Sequence, residues 1–262
     1  MRIALLQYSI VWANPQANIG LLDERLAALR GKADIAVVPE MFSTGFCTDR
    51  PDLAEEWGGP TCCALQHMAD TYDIAIMGSF ICREDRLRNR GFMFRPNDTP
   101  LYVDKRHLYR HGGEADFFSP GEKREVWEYR GAKIKLAVCF DARFPVWLRQ
   151  EKENMYDILV LVACWPTIRV QYWDALLPAR AAENQCYVVG VNMVGTDGLQ
   201  LDYNGHSAAY DTWLRDLAQF DDYEEGTRIV DFSIEKLRHF REVLPLWQDA
   251  DEYYLENRRT DA

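Results

Sequence analysis

The chain has 262 residues, 48% hydrophobic and 13% aromatic, enough for a sizeable core, and a single domain is expected. A formal net charge of -11 and a pI near 5.0 argue against nucleic acid or an anionic membrane as partner, because the protein's own field would repel both. The seven cysteines, Cys47, Cys62, Cys63, Cys82, Cys139, Cys164 and Cys186, are odd in number, scattered and without CxxC spacing. They suggest neither a disulfide framework nor a zinc finger, and a reducing, cytoplasmic setting fits them.

Residues 2–8 read as a strand, too short an apolar stretch for a signal peptide, and no run approaches the length of a membrane span. Asn14-Pro15-Gln16 opens an amphipathic helix to about Arg30, with Ile19, Leu22, Leu26 and Leu29 at helical spacing. Residues 35–38 form a continuous apolar strand followed at once by Pro39-Glu40. A strand apolar on both faces needs a covering layer on each side, which favours a layered α/β fold. A helix over 61–72 and a strand over 74–80 follow, then antiparallel strands over 90–95 and 101–105 across a Pro96-Asn97-Asp98 turn.

Residues 114–121 read as a loop, 125–129 and 132–138 as strands, 144–153 as a helix and 156–163 as another fully apolar strand. Then come a helix over 172–184, a strand over 186–192, short strands within 207–217 and 227–232, and a helix capped by Ser233 towards Val243. No repeat or linker marks a domain boundary. The charged tail from about residue 249 carries Tyr253, Tyr254 and Leu255 and either docks on its neighbours or frays.

Three reactive side chains follow apolar strands in the same manner: Glu40 after 35–38, Lys105 after 101–103 and Cys139 after 136–138. In an α/β sheet, groups beyond the carboxyl ends of strands converge on one crevice. Cys139 stands where an apolar strand breaks into a turn before Pro145, a position with backbone N–H groups available to an oxyanion. The alternative for each is ordinary: a buried core cysteine, a helix-capping or surface glutamate, a solvated lysine. Together the three suit acyl transfer from a carbon–nitrogen bond. A thiol of ordinary pKa about 8.5 needs a base such as Glu40 to take its proton, and Lys105 with the Phe140 amide suits the developing oxyanion.

Five blocks carry a family resemblance: Pro39-Glu40-Met41-Phe42, Asp104-Lys105-Arg106-His107-Leu108, Glu114 with Ser119-Pro120-Gly121, residues Cys139 to Pro145, and residues Arg180 to Asn192. In this order they resemble the carbon–nitrogen hydrolases of the nitrilase superfamily over nearly the whole chain. The resemblance implies a Glu40–Lys105–Cys139 triad in an α-β-β-α sandwich, with subunits paired through their outer helices as a homodimer or higher homo-oligomer. It also implies a second glutamate, Glu114, that orients the lysine and the substrate, and it implies no cofactor.

Cys139-Phe140-Asp141-Ala142-Arg143-Phe144-Pro145, Glu183 to Val188 and Leu246 to Tyr253 are similar to the omega-amidase branch, whose enzymes convert 2-oxoglutaramate or 2-oxosuccinamate to the dicarboxylate and ammonia. Phe140 in place of tyrosine and Met193 in place of arginine depart from that pattern. An N-carbamoyl amine or a simple aliphatic amide would use the same triad, and a non-catalytic interaction module is a further alternative.

A dicarboxylate monoamide asks an acidic protein for a distal arginine. Arg169 is the candidate, with Trp165 and Phe117 as apolar walls; Arg143 is expected to pair with a carboxylate and hold the nucleophile turn. His107-x-x-x-His111 with Glu114 has the spacing of metal ligands, but the glutamate a metalloprotease needs after the first histidine is Leu108, and Gly112-Gly113 opposes a helix, so no metal is expected. None of the five histidines lies in a papain-like signature; His67 and His239 read as surface residues and the remaining cysteines as small buried hydrophobes.

Overall fold

The computed structural model describes residues 1–255. Its first half runs β1 (Arg2–Gln7), α1 (Pro15–Ala27), β2 (Ile35–Val37), β3 (Glu55–Glu56), α2 (Pro60–Tyr72), β4 (Ala75–Arg83), β5 (Leu87–Phe94) and β6 (Leu101–Asp104). Then follow α3 (Glu114–Phe117), β7 (Trp127–Tyr129), β8 (Ala132–Val138), α4 (Pro145–Leu148), β9 (Ile158–Val162) and α5 (Val170–Asn184). The chain continues through β10 (Tyr187–Val191), β11 (Val194–Thr196), β12 (Asp202–Asn204), β13 (Ala208–Tyr210), β14 (Gly226–Asp231) and α6 (Ile234–Val243).

The strands form two main sheets. One has the order β14-β1-β2-β4-β5-β6 with β3 added to β4, the other β13-β10-β9-β8-β7. Alternation along β1 explains the stacking: Ile3 and Leu5 join a core shared with Leu136 and Val138 of the second sheet, whereas Ala4 and Leu6 pack with Leu22 and Leu26 of α1 and Leu65 and Met68 of α2. Helix α5 covers the opposite face through Trp173 and Leu177. The result is four layers, α-β-β-α. Helix α1 starts where Asn14 accepts the Ala17 N–H at 3.1 Å, and α6 where Ser233 accepts the Lys236 N–H at 3.3 Å, so both caps act as their residue types dictate.

Strands β1, β2 and β4 are parallel, β6 returns to that direction through two antiparallel pairings, and β8, β9 and β10 are parallel in the second sheet. The carboxyl ends of β2, β6 and β8 therefore deliver Glu40, Lys105 and Cys139 to one place.

Several expected elements differ. The helix expected over 144–153 is only α4; Arg149 is extended because Gln150 donates its backbone N–H to Asn184 Oδ1 at 3.0 Å and its side chain to the Asn184 carbonyl at 2.7 Å. These tertiary bonds replace helical ones. The loop over 114–121 contains α3, and only Ala208–Tyr210 of 207–217 is strand, because Asp211 and Asp216 accept the following backbone N–H groups and hold a turn. Cys63 is exposed, unlike its buried neighbour Cys62. Tyr253 docks the tail, meeting Arg124 at 3.1 Å and the Val146 carbonyl at 3.2 Å, while Tyr254 is exposed and residues 256–262 lie outside the described residues.

Candidate active site

Glu40, Lys105 and Glu114 form one buried cluster, all three side chains wholly withdrawn from solvent. Lys105 Nζ donates to Glu40 Oε1 at 2.8 Å and to Glu114 Oε2 and Oε1 at 2.9 and 3.1 Å. An ammonium has three donors, and a carboxylate gripped side-on can share one, so one N–H remains for an incoming oxygen. Burial works against the Lys105 ammonium, but the charges of Glu114 and Glu40 outweigh it and hold its pKa well above the ordinary value. Burial, opposed by Lys105 and reinforced by Glu40, raises the carboxyl pKa of Glu114.

Each member is tied to a different element. Glu40 Oε2 accepts the Cys164 N–H at 2.9 Å beyond β9, and the Cys164 thiol donates to the Glu40 carbonyl at 3.1 Å. Glu114, the first residue of α3, also accepts the Tyr109 N–H at 2.7 Å, which fixes the segment between β6 and α3. A side chain absent from the sequence reading, Asn89 of β5, donates to Glu40 and Glu114 alike, at 2.7 and 2.9 Å. Asparagine is disfavoured inside strands, and that is the signal it carries in the sequence.

Cys139 completes the group at the exit of β8. Its φ of +47° puts a non-glycine residue in the left-handed region, a strained elbow that lifts the thiol out of the sheet. Burial first, and then the Glu40 charge, push its thiol pKa well above the ordinary value, against the pull of Lys105. The nucleophile therefore rests as a thiol beside its base.

The thiol opens on a cavity of about 340 Å³ walled by Phe46, Tyr109, Phe140, Trp165, Arg143 and Arg169. Trp165 stands with its backbone N–H on Asn192 Oδ1 at 2.7 Å and its indole N–H on the Arg169 carbonyl at 2.8 Å. Arg169 lies over the Tyr109 ring at 5.2 Å. Phe117 is not part of this wall: it is 42% exposed, and Phe118 takes the buried position as its backbone bridges to Leu87. Phe46 and Tyr109, from loops that meet only in the fold, supply the aromatic surface instead.

Arg143 corrects a second expectation. Among the described residues it forms no ion pair; its guanidinium lies over Tyr172 at 4.3 Å and Trp165 at 5.3 Å and faces the cavity. The turn is held by Arg180 of α5, which donates twice to the Ala142 carbonyl at 2.7 and 3.0 Å, and by Asp141. Asp141 also accounts for His107, which binds it and stacks on Phe144 at 3.6 Å. Among the described residues no group of three His, Cys, Asp or Glu side chains is placed to hold a metal ion.

Thiol, buried carboxylates, ammonium and a small cavity with two guanidinium groups are the equipment of amide hydrolysis through a thioester. Comparison with known proteins agrees. The carbon-nitrogen hydrolase family model matches residues 2–242. Omega-amidase YafV of Escherichia coli is 38% identical over 97% of this chain and 98% of its own. The 2-oxoglutaramate amidase of Bacillus subtilis is 29% identical over 94% and 96%. Among solved structures, XC1258 of Xanthomonas campestris, a CN-hydrolase superfamily protein with an arsenic adduct in its active site, superposes with a TM-score of 0.94 at 35% identity over 98% of this chain and 99% of its own. The chain belongs to the carbon-nitrogen hydrolase family.

Proposed function

We propose that the protein is an omega-amidase, hydrolysing the terminal amide of 2-oxoglutaramate or 2-oxosuccinamate to the 2-oxo dicarboxylate and ammonia. The observation that carries this reading is the combination, in one small cavity, of the Cys139 thiol with Arg143 and Arg169 in a chain of net charge -11. Two cations with no acidic partner among the described residues suit a substrate that brings its own carboxylate. The likeness to omega-amidase YafV and to 2-oxoglutaramate amidase supports the same substrate class.

The mechanism proposed draws on this geometry. Cys139 Sγ attacks the amide carbon while Glu40 takes the thiol proton; the raised thiol pKa makes the transfer accompany attack rather than precede it. The oxyanion that forms is stabilised by the remaining Lys105 N–H and the Phe140 backbone N–H at the start of the turn, a donor of this kind contributing about 2.7–4 kcal/mol. Glu40 returns the proton to the leaving nitrogen, and ammonia departs. It then takes a proton from water, which attacks the thioester and frees the acid and the thiol. Glu114 keeps Lys105 charged and aimed throughout.

This catalytic unit is a single domain, cytoplasmic and paired through its outer helices. That no helix among the described residues is long and apolar enough to cross a membrane is compatible with this placement. The test is ammonia release from 2-oxoglutaramate by wild type and Cys139→Ala, with glutamine, a carbamoyl-amino acid and a simple nitrile beside it. Cys139-dependent turnover that favours the oxoacid amide is expected. Preference for the carbamoyl compound or the nitrile would keep the triad and discard the substrate, and no turnover of any of them would discard the enzyme.

A further inference from the structure

We propose that Asn89 is a positioning residue of the hydrolytic site, its one amide nitrogen orienting Glu40 and Glu114 together and keeping Glu40 free to accept the Cys139 proton. The inference rests on the hydrolase reading above but not on the identity of the amide. Asn89 Nδ2 donates to Glu40 Oε1 at 2.7 Å and to Glu114 Oε1 at 2.9 Å, and its backbone carbonyl accepts the Lys105 backbone N–H at 2.9 Å. One residue thus touches all three charged members of the cluster.

The amide orientation suits two ionised carboxylates. Ionised carboxylates only accept, so toward them a flipped Asn89 would set oxygen against oxygen on both sides. In the orientation it adopts, its own Oδ1 is buried with no hydrogen-bond partner among the described residues. A buried acceptor left unpaired weakens the fold, and such an atom calls for an explanation other than stability. The explanation is electrostatic.

Glu40 is faced by Lys105 just beyond β6, Glu114 from α3, the thiol of Cys139, and Cys164 and Tyr203 from the second half of the chain. Lys105 is the one cation among these groups, against two carboxylates. The two buried carboxylates share this one cation, and burial together with the Glu40 charge already raises the carboxyl pKa of Glu114. The Asn89 bond to Glu114 stabilises its ionised form and works against the rise imposed by burial, while the bond to Glu40 fixes where that carboxylate stands.

The test is Asn89→Leu, which keeps similar bulk and removes both donors. Its kcat is expected to fall roughly tenfold or more with KM little changed, and the acid limb of its kcat/KM profile to move to higher pH. Alkylation of Cys139 by iodoacetamide, followed on the Cys139 peptide by mass spectrometry across pH, is expected to shift in the same sense. That readout needs no substrate, so a mistaken amide leaves it intact. If near-UV circular dichroism shows Asn89→Leu unfolded, Asn89→Ser, which retains one short donor, is read in the same way with a smaller shift. An unchanged pH dependence of alkylation in the folded variant, or a loss confined to KM, overturns the proposal.

Discussion

Asp141 and His107 are joined twice: one carboxylate oxygen accepts both the His107 backbone N–H and its ring Nδ1, each at 2.8 Å. The other oxygen accepts the Val138 N–H at 3.2 Å, immediately before the nucleophile. One buried carboxylate therefore couples the segment after Lys105 to the turn that starts at Cys139, across the boundary between the two sheets. Asp141→Ala leaves three backbone donors, those of Arg106, His107 and Val138, and the ring unsatisfied, and at about 1–3 kcal/mol for a buried group so stranded the loss is large. The variant is expected to melt several degrees lower, measured by differential scanning calorimetry, and to lose activity at temperatures where it is still folded, because Lys105 and Cys139 lose their common reference.

Arg143 and Arg169 share the cavity without acidic partners among the described residues, so each should be read by substrate charge. Arg169→Ala and Arg143→Ala are expected to raise KM for 2-oxoglutaramate tenfold or more, a loss of about 1.4 kcal/mol or above. KM for a neutral aliphatic amide should change little. Steady-state kinetics on both amides decides it, and equal effects on the two substrates would remove that arginine from carboxylate recognition.

Lys135, within the nucleophile strand β8, is buried, with Nζ donating to the Trp147 carbonyl at 3.2 Å and facing the Tyr156 ring at 5.6 Å. Burial, reinforced by the Arg124 charge and opposed by Glu151 and Asp141, lowers its pKa to about 7. In the unfolded chain a lysine titrates near 10.4, so between these values the unfolded state binds the extra proton. The contribution of Lys135 to stability therefore rises with pH across that window and is poorest below it. Lys135→Met is expected to gain roughly 1–4 kcal/mol at neutral pH, the gain shrinking as pH approaches 10. Urea unfolding at pH 6.5 and pH 9.5 checks the sign.

His206 bridges two parts of the second half, with Nδ1 on Asp174 at 2.9 Å and Nε2 on Asp222 at 2.5 Å. Burial works against its charge, but hydrogen bonds to Asp222 and Asp174 prevail and raise its pKa above the ordinary 6.5. A raised folded pKa means that the bridge contributes fully below about 6.5 and is lost as pH climbs through the folded value. The melting temperature of wild type should exceed that of His206→Gln most clearly at pH 5.5, and the two should converge by pH 9. A difference independent of pH would show that the ring acts only by shape.

Local patterning was enough to place Glu40, Lys105 and Cys139 after apolar strands, because strands buried on both faces read as continuous apolar runs and their ends are marked by the first polar residues. The caps at Asn14 and Ser233 are local for the same reason: a side-chain oxygen and an N–H three residues on suffice. What lay across the chain was not legible. Asn89, 49 residues from Glu40 and 25 from Glu114, is one polar residue in an apolar strand until the sheet brings all three together. Whether Phe117 or Phe118 faces inward, and whether Arg143 meets a carboxylate or a cavity, turn on a single residue's rotation in a short helix or turn, which no periodicity records. The expected helix over 144–153 ended early because Asn184, far along the chain, competes for the Gln150 groups. The sequence by itself determined which residues end the strands and hence which chemistry is available. Only the tertiary structure decided which side chains hold those residues and which face the substrate, because hydrogen bonds and burial between distant segments have no local signature.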